Sequence, residues 1–234
     1  VSVYANSHGF VGRERATRHS ISCALVCEDA QGMQRDYWYS SARAASDLEA
    51  AEHIGRHAAE RAVRRLGARQ LATRECPVLF VPEVARSLLG HLVGAVSGGA
   101  LYRRASFLLD HAGKAVLPAW MSLREEPHLR RGHGSGAFDS EGVATVASDL
   151  VRDGVLQRYV LGSYSARKLG LESTGNAGGI HNLVANASAG DFADLVSRMG
   201  SGLVVTELMG QGVNLVTGDY SRGAAGFWVE DGAI

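Results

Sequence analysis

The 234-residue chain has no uninterrupted apolar run near the roughly 18 residues that a membrane-crossing helix needs. Near Val1 there is no basic-then-apolar stretch of the kind that forms a secretory leader. Cysteine is scarce, with three residues in all. Cys23 and Cys27 share the β-prone run ISCALVC, where four residues span roughly 13 Å at about 3.3 Å per residue, beyond the reach of a disulfide. Reduced thiols in a cytoplasmic protein are therefore expected, and the sequon-like Asn186-Ala187-Ser188 has no meaning in that compartment. Net charge is also missing, with 24 basic residues matching 24 acidic ones. A domain that mainly binds DNA shows a basic excess, so nucleic acid is not the expected partner.

What is present points to an ordered protein with many turns. Hydrophobic residues make up 46% of the chain, and 29 glycines stand against 4 prolines. The expected class is α+β, with mostly antiparallel sheets, a few packed helices and two subdomains. Residues 1–73 read as the C-terminal part of an N-terminal α+β domain, and 74–234 as a β-rich C-terminal domain truncated at its end.

Turn residues at Ser7-His8-Gly9 and Ala30-Gln31-Gly32 divide the first 45 positions into antiparallel strands. Ser46-x-x-Glu49 has the spacing of a capping box and predicts a helix over 46–66. Its apolar stripe is Leu48, Ala51, Ile54, Gly55, Ala58, Ala62 and Leu66, and Gly67 lies just past the end. Pro77–Val81 is a short apolar strand, and Pro82 opens a helix that Gly98-Gly99 is expected to end. Glu125–Gly142 reads as a long polar loop, and Asp153-Gly154 as the turn between strands Ala144–Val151 and Val155–Leu161. A second loop, Ser165–Asn182, leads to a helix capped by Ser188-x-x-Asp191, with Phe192, Leu195, Val196 and Met199 facing inward. Asp231-Gly232 is a hairpin turn with only Ala233-Ile234 after it, and Val1 sits inside a β-prone run. A piece of a longer protein is expected.

The most informative stretch is Leu203–Glu230, where the β-prone runs Leu203–Thr206, Asn214–Thr217 and Gly226–Glu230 alternate with bends at Gly210, Gly212, Gly218 and Gly223. With the upstream YSARKLGLESTGNAGG, its TELMGQGVNLVTGDYSRGAAGFWVE resembles the PmbA (TldE) branch of the TldD/PmbA family, long named modulators of DNA gyrase. The resemblance implies a subunit of a metalloprotease that cleaves small or unfolded peptides, paired with a TldD-type chain that holds zinc. Active TldD-type members carry His-Glu-x-x-x-His on the second helix, where this chain resembles them but has Gly90, His91 and Ala95. The cysteine that would complete such a site falls beyond Ile234. The expectation is therefore a non-catalytic chain with no cofactor of its own, as a heterodimer with the TldD-type subunit or as a homodimer.

The remaining constellations are less specific. His53 and His57 have a metal-compatible spacing, but Ile54 follows the first and Glu49, Glu60 and Arg64 share the face, which reads as solvated. His91, Asp139 and Glu141 are the candidates for acid–base work, the last two as paired acids in FDSEG. Thr174, Gly175, Asn176, Gly210, Gln211 and Asn214 are the candidate substrate-binding residues. Ser173–Gly179 lacks the Gly-Lys-Ser/Thr of a phosphate loop, and no Gly-x-Ser-x-Gly elbow occurs. Arg130-Arg131 with His128 and His133 is the strongest cationic cluster and reads as a loop patch. The alternatives to the non-catalytic subunit are a peptidase working through Asp139, Glu141 or His91, and a homo-oligomeric binding module or gyrase-associated regulator.

Overall fold

The computed structural model describes residues 1–186 and 190–234, and its class is α+β. The chain divides into two compact units, residues 1–73 with 128–135, and residues 74–127 with 136–234.

The first unit begins with a hairpin of β1 (Ser2–Ala5) and β2 (Val11–Glu14). The Asn6 carboxamide oxygen accepts from the His8 and Phe10 amides and holds the turn. A longer hairpin follows, β3 (His19–Asp29) with β4 (Gly32–Ala42), paired without a break and closed by the Asp29 carboxylate, which accepts from the Gln31 and Gly32 amides. Helix α1 (Ala51–Val63) packs on this ribbon through Ile54, Ala58 and Ala62, four residues apart and fully enclosed. Two small residues in that stripe let the helix approach closely. Asp36 on β4 receives Arg61 and Arg65 from the helix side, at 3.2 and 3.5 Å.

The expected capping box does not form. Ser46 falls in a 3-10 turn, Ala45–Asp47, and α1 starts at Ala51 without a side-chain cap. The ribbon takes the capping groups away: the Glu49 amide donates to the Ser40 hydroxyl, and the Glu49 carboxylate accepts from the Trp38 indole. The helix also stops at Val63, and a turn carries the chain on to Gly67.

In the second unit β5 (Val78–Phe80) leads into α2 (Pro82–Ala95), which does begin with proline at its first turn. Then come α3 (Gly98–Tyr102), β6 (Leu123–Glu125), β7 (Ser148–Arg152), β8 (Val155–Leu156), α4 (Ser163–Leu169) and β9 (Leu183–Ala185). Helix α5 (Phe192–Met199), β10 (Gly202–Met209) and β11 (Gly223–Val229) complete it. One sheet is antiparallel in the order β8-β7-β6-β9; the other runs β11-β10-β5, with β5 parallel to β10. Leu123, Leu150, Val151 and Leu156 from the first sheet meet Ala95 and Val96 in the main core. Val196 on α5 covers Val204 and Val229 on the other sheet in a smaller core.

Four local expectations change. Gly98-Gly99 opens α3 instead of ending α2: the Gly98 amide donates to the Val160 carbonyl, and a Cβ there would meet the Ser165 hydroxyl at 2.2 Å. Close helix approach, not a left-handed stop, is the reason for glycine. Ser165–Asn182 is not all loop, because α4 occupies its start. Asn214–Thr217 is a turn in which the Asn214 side chain accepts from the Val216 amide, so β10 and β11 pair directly. Phe192 is exposed, while Val196 is buried. The cap expected at Ser188 lies outside the described residues; Asp191 itself is the N-cap, exchanging hydrogen bonds with Asp194. Asp153-Gly154 makes the expected turn, though its strands are shorter than predicted.

Gly226 sits where a Cβ would lie 1.8 Å from the Val204 carbonyl oxygen on the neighbouring strand. Backbone cannot yield as a flexible side chain can. Gly226→Ala is expected to cost about 2–3 kcal/mol of unfolding free energy, read from the midpoint of urea denaturation.

Candidate functional site

The alternation along β6 turns both Leu123 and Glu125 toward the interior, and Glu125 is only 1% exposed. A buried charge survives only with donors around it. Here they come from three separate segments. Glu125 Oε1 accepts from Asn176 Nδ2 at 2.8 Å, from the His181 amide at 2.7 Å and from His181 Nδ1 at 2.8 Å. Arg158, just after β8, pairs with Oε2 and also donates to Asn176 Oδ1 at 3.0 Å. The Thr174 hydroxyl donates to that same Asn176 oxygen and accepts from the Leu161 amide. Since a carboxylate only accepts, His181 Nδ1 is the donor in this contact.

The paired acids of FDSEG lie beside this network, in supporting roles. Asp139 accepts from the Glu141 and Val143 amides with one oxygen and from the Ala177 amide with the other, each at 2.9 Å. Glu141 Oε2 accepts from the Ser163 amide at 2.7 Å, at the start of α4. Both acids thus staple the 174–179 loop and α4 to their own turn. Gly175, at φ +69°, lies buried against the Ala144 carbonyl.

Of the candidate residues, Asp139, Glu141, Thr174, Gly175 and Asn176 are therefore drawn into one neighbourhood. Gly210, Gln211 and Asn214 are exposed on the β10–β11 connection, and no hydrogen bond joins the two groups among the described residues. His91 is on α2 with Nε2 enclosed and without a hydrogen-bond partner among the described residues, its ring 6.0 Å from that of Tyr220. His53 pairs with Glu49 at 3.2 Å and stacks on His57, which lies edge-on to Trp38. Glu125, Arg158 and His181 escaped the sequence reading. The available signal was an acid two positions from Leu123, on the inward face of a short strand.

Zinc needs three or four donors at one point. Helix α2 supplies one imidazole, flanked by Gly90 and with Ala95 a turn further on, and no group of three His, Cys, Asp or Glu side chains able to hold a metal occurs among the described residues. The residues present do not fit the ion.

Residues 73–234 match the PmbA/TldA metallopeptidase C-terminal domain, and residues 1–66 match the central domain of the same family. The chain belongs to the PmbA/TldD family. It is 53% identical over its whole length to Metalloprotease PmbA of Escherichia coli O157:H7, and it spans about half of that relative, 52%. Among solved structures, a candidate modulator of DNA gyrase from Bacteroides thetaiotaomicron superposes with a TM-score of 0.91 at 31% identity, over 97% of this chain and 51% of that one. TldE from Thermococcus kodakarensis shares the fold at a TM-score of 0.82 and 22% identity, over 97% of this chain and 54% of that one. A PmbA/TldD member is thus a metalloprotease-family protein by relationship, and no described helix is long and apolar enough to cross a membrane.

On β7 of the same sheet Asp149 bonds to Arg152 and Arg124. The Arg152 hydrogen bond, against the opposing effect of partial burial, holds the Asp149 carboxyl below its ordinary range. Arg124 is raised in turn, chiefly by Glu126. A lowered folded pKa adds stability that is complete above the unfolded value of about 3.9 and is lost as pH falls through the folded one. Asp149→Asn should lower stability at pH 7 and flatten the acid limb of a pH–Tm curve, by a small amount that salt diminishes, since both arginines are exposed. Glu125→Gln should cost about 3 kcal/mol in urea denaturation because it leaves the half-buried Arg158 without its anion, whereas Glu141→Gln should cost about 1 kcal/mol.

Proposed function

We propose that this chain is part of a non-catalytic PmbA/TldE-type subunit, which works with a zinc-holding TldD-type subunit in cleaving small or unfolded peptides. The observation that carries this reading is the donor set of α2: Gly90 and Ala95 offer no ligand atoms, and the one imidazole, His91, has its Nε2 enclosed without a partner among the described residues. The acids that a metal-independent peptidase would need weigh against that alternative. Asp139 and Glu141 are taken up by backbone amides, so neither is poised to activate water.

Substrate handling falls to backbone and scaffold. A glycine-bent sheet with exposed backbone accepts an extended peptide by strand addition. The Glu125 network keeps the 174–179 loop in one conformation, with only Gly178 and Gly179 exposed. A cytoplasmic setting accords with the three free cysteines.

The test uses the full-length protein, alone and mixed with a TldD-type chain, and measures zinc per chain by elemental analysis and hydrolysis of a flexible peptide. Substoichiometric zinc and no hydrolysis are expected for this protein alone, with a stable complex and chelator-sensitive cleavage for the mixture. One zinc per chain, together with chelator-sensitive cleavage by the isolated protein, would overturn the proposal.

A further inference from the structure

The cationic loop that sequence left as a patch has a definite place. Residues 128–135 group with the first unit, and there Arg131, Gly132 and Ser135 join Arg15, Thr17 and Arg43 around an open pocket of about 360 Å³. That volume is in the range of small-ligand sites, roughly 300–1,000 Å³. Three guanidinium groups line the pocket and no acidic side chain does.

Their charges are unevenly met. Arg131 Nη1 pairs with both Asp47 carboxylate oxygens at 2.9 Å. Arg43 donates through Nε to the Gly132 carbonyl at 3.3 Å and through Nη2 to the His133 carbonyl, so among the described residues it meets dipoles but no anion. Arg15 has neither a hydrogen bond nor an ion pair among the described residues and is exposed. The hydroxyls have already given their protons, Thr17 to the Arg43 carbonyl and Ser135 to the Leu129 carbonyl. What the pocket offers a ligand is therefore cationic N–H groups, two of them on arginines without a carboxylate partner. In a chain of zero formal charge this is a local concentration of one sign and not a generally basic surface.

We infer that this pocket binds an oxyanion, the carboxylate or phosphate group of a small molecule or chain end. Planar guanidinium forks match both groups with paired, charge-assisted hydrogen bonds, which a single ammonium does not. Arg43 supplies the rigid side of the site because its two carbonyl contacts hold it against the loop. Arg15 supplies the free side. The site is in the first unit and does not depend on how α2 or zinc is read.

The experiment is calorimetric titration of the full-length protein at low ionic strength with two probes. One is inorganic phosphate; the other is a short neutral peptide with a free C-terminal carboxylate, compared with its C-terminal amide. Saturable binding of at least one probe is expected, and Arg15→Gln should weaken it by about tenfold, one step of the affinity scale, with an unchanged thermal melt because Arg15 holds no other group. Arg43→Gln should weaken it as well. Phosphate binding alone identifies a phosphoryl ligand; discrimination of acid from amide identifies a carboxylate; both together identify a general oxyanion site. No binding of either probe up to about 10 mM, or equal affinity in the Arg15→Gln protein, overturns the inference. A peptide that binds regardless of the Arg15 substitution and of its terminal amide is held elsewhere, and this outcome too overturns the inference.

Discussion

The second unit depends on keeping one carboxylate charged where no water reaches it. Glu125 lies at the end of β6 and is enclosed, and the cost of removing such an ion from water is several kcal/mol unless donors replace the water. The donors are spread along the chain, on Arg158, Asn176 and His181. Satisfying the charge therefore fixes where the strand pair ends, how the 174–179 loop folds back and where β9 begins. Removing any one donor leaves the others crowded around an under-compensated ion. The polar centre is in this sense the organiser of the sheet, and the apolar core of Leu123, Leu150, Val151 and Leu156 packs behind it.

That arrangement bears on the chemistry. Acids that look paired in the sequence are engaged by amides in the fold, and the histidine on α2 belongs to no group of three metal-capable side chains among the described residues. The polar residues concentrated around the 174–179 loop serve shape. Proton transfer needs a group free to change its charge, and the amides that hold Asp139 and Glu141 oppose that.

Much of the fold was legible because it rests on short-range rules. Proline at the first turn of α2, the Asp153-Gly154 turn and the Ile54-Ala58-Ala62 stripe all express local geometry. The failures were places where tertiary contacts outbid a local preference. Ser40 and Trp38 engage Glu49, so a sequence with capping-box spacing has none. Gly98 reads as a helix stop until Ser165 is seen against it. The Glu125 network was invisible for the same reason, since its members are scattered through residues 125–181 and no single window contains them. Family resemblance reached further than periodicity because it rests on the long glycine-rich stretches taken whole.

The parallel pairing of β5 with β10 has a consequence for biosynthesis. Val78 and its neighbours emerge from the ribosome well before their partner around Leu203, which is made only after most of the intervening domain. At translation rates of about 5–20 residues per second, the wait is of the order of ten seconds. Through that interval the apolar strand at Val78–Phe80 has no sheet to join, and its exposure is the window in which a nascent-chain chaperone has something to hold.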